Sequence, residues 1–586
     1  MRIVIITLLF LSLLYNKVCC QIVPANRSYL NYTQVMFEYP EIKKASYYVL
    51  QLAEYTPISN FDLSIFKEQI DSTTATLITG LQFGKRYQWR YIAYNDEKKI
   101  IYKSNIFYFE VLFNKYVDKS KYRAKVTTNN QKQGYIFLDE NRIAIDRKGS
   151  PVWFLPANYK NIQNIRMTNS GTITFMANQE GKYFSCYEVN LDGKILWESP
   201  KNGKISGDNT EYFHNDFQKL KNGNYLTIGY KFVNPKISID AQKIAFSTLI
   251  EYDKNKNIVW SWISGDYFKD IDTYFNPNNN KKHIWSVDTV SIYEPFYINS
   301  FLVDEEQDLI YANIKSNSSI VKIQKSTGKV LCNYGNKFVS VGNNYANVLF
   351  TNPSNFVLLK NKNIAIYHKN YNLNIDTNIT KKFISSNIVV ISQPQNEKDS
   401  VNKVWEYKSD IDSITYDPLY KSGNIVLLKN SNFLLNTGEL TNRIFEITSE
   451  KEIEWDCFTE KYSEDNKAFT PLLINTISYT ESLYPVYFTI KNSLQSDTLA
   501  NNFKRKINLT INNEGANTDN YTVKYFTDTI QVGETFVTPT VPSGKSYLLK
   551  FKRPKIKSGK FQKFVIEVKS ANNPDLIRKS ILTIKK

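Results

Sequence analysis

The chain has 586 residues, of which 42% are hydrophobic and 22% charged, so it is too long for one compact core and too apolar to be disordered. Its formal net charge is +18, but the basic residues are scattered and no nucleic-acid-binding motif accompanies them, which excludes a nucleic-acid partner. The 41 tyrosines and 35 phenylalanines, with only 21 glycines, favour strands over helices and predict a mainly β protein of several domains.

Residues 1–20 have the features of a signal peptide. Arg2 supplies a positive start, and Ile3 to Tyr15 form an apolar run that is too short to cross a bilayer core of about 30 Å. We expect cleavage before Gln21 and a mature chain, secreted or in the periplasm or cell envelope of a bacterium, with no membrane-spanning segment. An uncleaved anchor and a eukaryotic secreted protein are the alternatives.

Residues 25–113 alternate apolar and polar side chains in short runs, which indicates strands. The last run, Leu81 to Tyr94, has a tyrosine after a Leu-x-x-Gly turn and then alternates with apolar residues. This pattern resembles the F strand of fibronectin type III modules. We therefore predict a fibronectin type III-like β-sandwich over residues 25–113.

A hairpin unit recurs six times in the middle of the chain. In the full copies an alternating apolar strand leads to a polar turn, and a second strand ends on an aromatic residue or, once, on cysteine. The fifth copy has lost the turn signal and keeps only Val401 to Trp405. The copies end at Trp153, Trp197, Trp260, Cys332, Trp405 and Trp455. The closing aromatic side chain is expected to pack between neighbouring sheets. Six copies at this spacing predict a six-bladed β-propeller over residues 130–465.

A second hairpin unit with Asn-Gly turn chemistry alternates with the first, as in Leu220 to Ile228 and Leu358 to Ile366. It is expected to supply the inner strands of the blades. Residues 470–586 alternate as well but contain neither unit, which predicts a second β-sandwich at the C-terminus. The fold class is therefore all-β, with a propeller flanked by two sandwiches.

Cysteine spacing and short motifs exclude several kinds of site. Cys186, Cys332 and Cys457 remain after cleavage of the signal peptide, and they are too far apart for a disulfide framework or a metal site. The chain also lacks a Gly-rich phosphate loop, a Gly-x-Ser-x-Gly elbow and a His-Glu-x-x-His motif. We predict no bound metal.

Three stretches of the predicted propeller carry a family resemblance. They are Phe213 to Asn224, Tyr297 to Asp304, and Asn313 to Val330. They are similar to the His-Asp-Phe…Leu-x-Asn-Gly-Asn, His-x-Asn-Ser…Asp and Ser-x-Arg…Thr-Gly-Lys-Val stretches of the bacterial arylsulfate sulfotransferases. The resemblance covers about residues 135–457. It implies a propeller whose central funnel binds an aryl sulfate, with a β-sandwich in front of it.

The resemblance also implies a reaction. In that family a histidine attacks sulfur and releases a phenol, and a second phenol then takes the sulfuryl group without a nucleotide cofactor. Neighbouring His, Arg and Asn side chains stabilise the charge on the sulfuryl oxygens. The partner implied for this chain is an aryl sulfate or another anionic or aromatic small molecule, and no cofactor is expected.

The resemblance can be carried over to the pocket one residue at a time. His214 matches a pocket histidine, and Asp216 is placed to orient it. Tyr297 stands where a second histidine is expected, while Asn299 is retained. Lys315 stands near an expected arginine and keeps the charge without the planar fork that suits a sulfate.

The position of the nucleophile is the exception. It is expected about eight residues before the Asn-rich turn of the next blade, where the chain has Pro353 beside Asn352, and neither can be sulfurylated in this way. Thr437 is matched with the last pocket position. His283 is expected in a solvated loop and His368 in a strand.

Three functions remain open. The first is an arylsulfate sulfotransferase, impaired or inactive unless His214 assists or replaces the nucleophile. The second is a non-catalytic propeller that binds an anionic or aromatic ligand, because loss of a nucleophile removes most of the rate. The third is an envelope or adhesion protein in which the sandwiches carry the function.

Overall fold

The computed structural model describes residues 22–585 except 43, 58–66, 72–73, 130–132, 157–158, 179–183, 236–240, 268–283, 288–289, 337–342, 346–348, 373–382, 395–398, 410–411, 414–422, 439–440, 473, 493–505, 528–529, 532–534 and 553–560. The predicted signal peptide and His283 lie outside this part of the chain. Within it the protein is almost entirely β, as predicted, with 46 strands, the short α-helix Ser264–Tyr267 and two 3-10 helices, Lys115–Val117 and Lys315–Asn317. None of the described helices has the length and apolar character needed to cross a membrane.

The described residues group into two compact units. One unit contains the residues up to Phe113, Asn169–Gly171 and the residues from Ser482 onward, so it is built from both ends of the chain. The other contains Asn114–Thr168 and Thr172–Glu481.

The N-terminal strands belong to the first unit. They are β1 (Ser28–Leu30), β2 (Val35–Glu38), β3 (Tyr47–Glu54), β4 (Lys67–Asp71), β5 (Ala75–Ile78), β6 (Lys85–Tyr94), β7 (Ile100–Lys103) and β8 (Phe107–Val111). One sheet has the order β1-β8-β6-β3-β4 with β7 paired to β6, and β2 pairs with β5. Phe37 of β2 meets the edges of Trp89 and Phe109, with ring centroids 5.0 and 5.8 Å away. These contacts form the core between the two sheets.

The second unit contains the next thirty strands of the described chain. They are β9 (Tyr122–Asn129), β10 (Tyr135–Leu138), β11 (Ile143–Asp146), β12 (Pro151–Phe154), β13 (Lys160–Met167), β14 (Ile173–Asn178), β15 (Ser185–Val189), β16 (Ile195–Glu198), β17 (Phe213–Lys219), β18 (Tyr225–Val233), β19 (Lys243–Tyr252), β20 (Ile258–Ile263), β21 (Ile284–Val287), β22 (Val290–Tyr293), β23 (Ile298–Asp304), β24 (Leu309–Ile314), β25 (Ser319–Gln324), β26 (Val330–Gly335), β27 (Asn343–Tyr345), β28 (Pro353–Leu358), β29 (Ile364–Asn372), β30 (Phe383–Ile391), β31 (Lys403–Lys408), β32 (Asp412–Ser413), β33 (Asn424–Leu427), β34 (Phe433–Asn436), β35 (Arg443–Ile447), β36 (Ile453–Ser463), β37 (Ala468–Pro471) and β38 (Ile477–Thr480).

In the described part of this unit the strands form six sheets, each built on four antiparallel neighbours. The four-stranded orders are β38-β10-β11-β12, β13 to β16, β17 to β20, β23 to β26, β28 to β31 and β33 to β36. The remaining strands of the unit extend the edges of these sheets. In five of these sheets the predicted hairpin coincides with the last two strands of the four-stranded order, and in the fifth sheet the predicted Val401 to Trp405 segment leads into the last of the four strands. The first sheet is completed by β38, which lies in the segment predicted as the C-terminal sandwich.

The recurring tryptophan connects one sheet to the next. The indole N–H groups of Trp153, Trp260, Trp405 and Trp455 donate to carbonyl groups in the outer turn of the following sheet, those of Leu191, Lys325, Ser449 and Arg147. Trp197 instead stacks on Tyr225 of the following sheet, with ring centroids 3.9 Å apart. The hairpin motif thus encodes contacts between sheets, as expected.

The first strands of the sheets are joined in the same order. Side chains bond to the backbone of the next first strand in the pairs Ser478–Ile165, Asn164–Asn215, Asp216–Phe301, Asn299–Ser354, Asn355–Ile425 and Asn424–Ile477. The last pair returns to β38, where the series began. The contacts between first strands therefore form a closed cycle.

The C-terminal strands complete the first unit. They are β39 (Phe488–Asn492), β40 (Lys506–Asn513), β41 (Tyr521–Thr527), β42 (Ile530–Gln531), β43 (Phe536–Val537), β44 (Ser546–Lys552), β45 (Phe561–Ser570) and β46 (Ile577–Lys585). Their sheets have the orders β39-β40-β44 and β42-β41-β45-β46, with β43 paired to β41. Within this unit Glu38 accepts hydrogen bonds from Tyr487 and, at 2.8 Å, from Arg578. The fibronectin type III topology and the separate C-terminal sandwich stay predictions.

Candidate functional site

His214 lies in an irregular stretch of β17. Phe213 pairs with Gly229 of β18 and Phe217 pairs with Thr227, so the three residues between them are opposed by one. Asn215 takes up the irregularity with a φ of 61°, in the left-handed region that asparagine tolerates better than most residues. The bulge turns the His214 side chain away from the regular alternation of the strand.

The imidazole of His214 is stacked between two tyrosine rings. Its centroid is 4.1 Å from that of Tyr230 and 5.5 Å from that of Tyr297, and the ring planes are within 15° and 14° of parallel. Only 8% of the residue is exposed. Two aromatic side chains therefore stack on the buried imidazole.

The electrostatic state of His214 follows from this burial. Neither ring nitrogen has a hydrogen-bond partner among the described residues, and both are buried. Desolvation lowers the pKa of His214 to about 3. The nearby Gly229 backbone acts in the opposite direction but is not positioned to form a hydrogen bond with the ring. The imidazole is neutral at physiological pH and offers no charge to an anion.

Asp216 does not orient His214 by a hydrogen bond. Its carboxylate is buried and pairs with the guanidinium of Arg166 at 2.7 Å. It also accepts the backbone N–H groups of Phe217 at 2.9 Å and Phe301 at 3.1 Å. These three donors hold the carboxylate between β13, β17 and β23. Asp216 therefore links the strands and does not orient His214 as expected.

Asn215, which was not predicted as a site residue, links His214 to Tyr297 and Asn299. The Asn215 amide donates to the Tyr297 hydroxyl at 2.5 Å and to the Asn299 side-chain oxygen at 3.4 Å. Asn299 in turn donates to the Ser354 carbonyl at 2.5 Å, next to Pro353. The predicted residues His214, Tyr297, Asn299 and Pro353 thus form one connected group across three sheets.

Pro353 and Asn352 stand at the start of β28. The Pro353 carbonyl accepts the Asn313 side-chain amide at 2.8 Å, and the Asn352 N–H donates to the Ser318 hydroxyl at 3.0 Å. Asn352 has a φ of 45°, in the left-handed region. The position expected for a nucleophile is therefore occupied by Asn352 and Pro353, whose backbones bond to neighbouring side chains and whose own side chains are not nucleophiles.

His368 lies directly across from Pro353 in the antiparallel pairing of β28 with β29. It is in a strand, as expected. It is 4% exposed, and its Nδ1 accepts the Thr351 N–H at 3.5 Å. Its Nε2 is buried without a partner in the described part of the chain, and desolvation lowers the pKa of His368 to about 4. A second neutral histidine therefore stands beside the expected nucleophile position.

Lys315 contacts this group through its backbone, whereas the contacts of Thr437 are to its own sheet and to Tyr367. Lys315 opens the 3-10 helix after β24, and its backbone N–H donates to the Tyr297 carbonyl at 2.9 Å. Thr437 follows β34 and is buried, with its hydroxyl donating to the Arg443 carbonyl at 3.0 Å. Its own carbonyl accepts the Tyr367 hydroxyl at 3.4 Å. The Thr437 hydroxyl is engaged by the backbone of its own sheet.

Glu294 and Tyr230 complete the group, and neither lies in a motif that predicted a site residue. Glu294 is buried and accepts the Ser247 hydroxyl at 3.2 Å. Burial, and then the charge of Glu294, raise the pKa values of Tyr230 and Tyr297. The stack around His214 consequently contains neutral rings and one carboxylate. Across the described residues, no cluster of three or more His, Cys, Asp and Glu side chains is arranged to bind a metal ion.

The comparisons with known proteins bear on the family. No curated protein matches the chain. A Bacteroides caccae protein of unknown function is 13% identical, and the match covers 61% of this chain and 99% of that one with a TM-score of 0.33. An α-L-arabinofuranosidase of Fusarium graminearum is 12% identical, with 66% and 93% of the two chains covered and a TM-score of 0.32. These structural likenesses are too weak to support an argument about function.

The family model is decisive. The model described as Arylsulfotransferase (ASST) matches residues 124–470, which is more than half of the chain. This range contains all the residues of the group around His214. The resemblance seen in the sequence motifs is therefore confirmed, and the chain belongs to the arylsulfotransferase (ASST) family.

Proposed function

We propose that this chain is a secreted, six-bladed propeller of the arylsulfotransferase family that binds an aromatic ligand and does not transfer sulfuryl groups. The observation that carries the proposal is Pro353 at the expected position of the nucleophile. Covalent transfer needs a side-chain atom that attacks sulfur, and proline has none.

The cyclic contacts of the second unit support the propeller. Each of its six four-stranded sheets is bonded to the next through its first strand, and the series closes through Asn424 and Ile477. The tryptophan contacts run in the same direction and close through Trp455 and Arg147. A ring of blades is the arrangement in which both series return to their start.

The state of the two described histidines argues against a replacement nucleophile. Both ring nitrogens of His214 and the Nε2 of His368 are buried, so none of them can reach a sulfate ester in this conformation. Attack by His214 would require its ring to leave the stack between Tyr230 and Tyr297. The family reaction is therefore lost together with its nucleophile.

The chemistry of the group favours an aromatic ligand over an anion. The charge of the Glu294 carboxylate acts on both Tyr230 and Tyr297 and repels an anion, and His214 contributes no positive charge. Half-buried Tyr297 offers a ring, and the Asn215 and Asn299 amides lie beside its hydroxyl. A phenol can stack on such a ring and exchange hydrogen bonds with the amides.

A transfer assay on the purified mature chain tests the proposal. With 4-nitrophenyl sulfate as donor and phenol as acceptor, we expect no phenol-dependent release of 4-nitrophenol above the buffer rate, while circular dichroism shows a folded β protein. Release that disappears in His214→Ala would overturn the proposal and identify an enzyme with a relocated nucleophile. Release that disappears only in His368→Ala would assign that role to His368.

A binding experiment tests the ligand. We expect phenol to bind, measured by calorimetry, and Tyr297→Ala to weaken binding about tenfold because an aromatic contact is lost. The matched control is Tyr29→Ala, which removes an exposed tyrosine of the other unit. Equal affinity for all three proteins would place the binding elsewhere. N-terminal sequencing of the secreted protein should begin at Gln21.

A further inference from the structure

A cleft in the second unit lies outside the group around His214. It has a volume of about 320 Å³, in the range of small-molecule sites. Its walls come from the 3-10 helix Lys115–Val117, the starts of β9 and β13, the turn between β10 and β11, β36, and the residue after β37. None of its lining residues was predicted from the sequence to belong to a site, and none belongs to the family pocket described above.

Two tyrosines and two aliphatic side chains form the apolar part of this cleft. The rings of Tyr116 and Tyr122 are 5.6 Å apart and tilted by 40°. Ile162 and Leu472 are buried beneath the opening, with 4% and 7% exposed. A planar aromatic group with one or two fused rings can cover this surface and exclude water from it.

Three cations surround the same opening. Arg142, Lys160 and Lys461 line the cleft, and none of them forms an ion pair within the described part of the chain. Lys461 is the cross-strand neighbour of Tyr122, and the Arg142 guanidinium lies 5.2 Å from the centre of the Tyr116 ring. Glu140 is the one carboxylate in the lining. Positive charge therefore prevails beside the aromatic surface.

The backbone that presents Arg142 is held in place. Its N–H donates to the Asp139 carbonyl at 3.0 Å, and its carbonyl accepts the Leu155 N–H at 2.9 Å. Arg142 has a φ of 58° and Asn161 across the cleft has a φ of 46°, both in the left-handed region that costs most residues about 1 kcal/mol. Strained positions of this kind persist where surrounding contacts over-determine them, and they cluster at binding sites.

We propose that this cleft binds a small aromatic anion, a planar ring that carries a sulfate, sulfonate or carboxylate group. The ring packs on Tyr116 and Tyr122, and the anionic group faces Arg142, Lys160 and Lys461. The site is independent of the proposed phenol site at Tyr297 and of any sulfuryl transfer.

Calorimetric titration of the full mature chain with naphthalene-2-sulfonate tests this site. We expect binding that is at least tenfold tighter than that of 2-naphthol, which lacks the anionic group, or of inorganic sulfate, which lacks the ring. Affinity should fall as NaCl is raised, because salt screens the exposed cations. Absence of naphthalene-2-sulfonate binding at millimolar concentration would overturn the proposal.

Variants locate the binding. Lys160→Ala/Lys461→Ala and, separately, Arg142→Gln should each weaken naphthalene-2-sulfonate binding about tenfold. The matched control Lys254→Ala/Lys329→Ala removes two exposed lysines elsewhere in the unit and should leave the affinity unchanged. Glu140→Gln should strengthen binding several-fold, because it removes the opposing carboxylate.

Two outcomes contradict this location. Equal affinity of the parent and Lys160→Ala/Lys461→Ala would exclude the cleft, since both lysines are exposed and their removal does not threaten the fold. Loss of naphthalene-2-sulfonate binding in Tyr297→Ala would move the anion to the phenol site. Failure of phenol binding with intact naphthalene-2-sulfonate binding would remove only the function proposed at Tyr297.

Discussion

At the scale of single residues, burial decides the chemistry of the titratable groups. The His214 imidazole lies between Tyr230 and Tyr297 with both nitrogens buried, and the Asp139 carboxyl is 1% exposed in the turn after β10. Desolvation shifts both groups toward their neutral forms. His214 therefore acts as an aromatic packing group, and Asp139 as a carboxyl that tends to keep its proton.

The first prediction concerns the protonation of His214. We expect its ring signals, in NMR spectra of histidine-labelled protein, to stay constant between pH 5 and 8 because its pKa is about 3. His214→Gln assigns the signals, and His283 provides an internal comparison. A midpoint for His214 near pH 6.5 would show that the ring is solvated and free to ionise.

The second prediction concerns Asp139 and pH. Its carboxyl accepts hydrogen bonds from the Thr476 hydroxyl at 2.6 Å and from two backbone N–H groups, but burial prevails and raises its pKa from 3.8 to about 7. A folded-state pKa above the unfolded value means that the folded protein holds a proton which the unfolded chain releases. The contribution to stability is complete below pH 4 and is lost as pH rises through 7.

Urea unfolding at several pH values measures this effect. The free energy of unfolding of the parent should fall relative to that of Asp139→Asn by on the order of 2 kcal/mol between pH 5 and 8, since the amide does not ionise. Parallel pH profiles for the two proteins would mean that the Asp139 carboxylate is ionised throughout.

At the scale of elements, the bulge in β17 joins three neighbouring first strands. It places Asp216 where the carboxylate meets Arg166 of β13 and the N–H of Phe301 on β23. The same bulge displaces His214 from the strand and lets Asn215 reach Tyr297. One irregularity therefore builds both the link between sheets and the candidate site.

The third prediction concerns this link. Asp216→Ala leaves two backbone N–H groups and a guanidinium without their shared acceptor, so we expect the unfolding free energy to drop by about 3 kcal/mol. Glu306→Ala is the control, because the Glu306–Lys221 pair is exposed and at 3.6 Å contributes less than about 1 kcal/mol. Equal, small losses in both variants would mean that the strands are joined by packing alone.

At the scale of the whole molecule, contacts between distant parts of the sequence complete both units. In the second unit, buried Arg147 of the first sheet pairs with buried Glu446 of the sixth, and the Arg147 guanidinium lies 4.3 Å from the Trp455 ring centre. In the first unit, Glu38 and Arg578 join the two ends of the chain at 2.8 Å. Each unit is closed by polar contacts of very long sequence separation.

The fourth prediction concerns the closure between the first and sixth sheets. Glu446→Ala leaves the Arg147 guanidinium buried without its counter-charge and should cost about 3–5 kcal/mol. Glu446→Leu combined with Arg147→Met should recover most of this loss, because burying two apolar groups leaves no charge unpaired. Thermal unfolding of the three proteins measures both effects. A double variant less stable than Glu446→Ala would show that the pair itself stabilises the closure.

The all-β class, the repeated hairpins, the role of their tryptophans between sheets and the family could all be predicted from the amino-acid sequence. These properties depend on local alternation, turn residues and short motifs, and each of these can be recognised within a single segment of the chain. The same motifs identified His214, Tyr297 and Asn299, which the structure brings together. They also identified the missing nucleophile, because Pro353 occupies a defined place before a turn.

The surroundings of these residues could be known only from the folded chain. Tyr230, Glu294 and Asn215 reach His214 and Tyr297 through strand pairing and a bulge, and the cleft between Tyr116 and Lys461 joins segments more than three hundred residues apart. The same holds for the unit formed from both ends of the chain. Alternation along a strand predicts which side chains point inward, but it does not predict which distant strand will pair with that strand. Burial, charge neighbours and pKa values depend on that pairing, so they are properties of the folded chain.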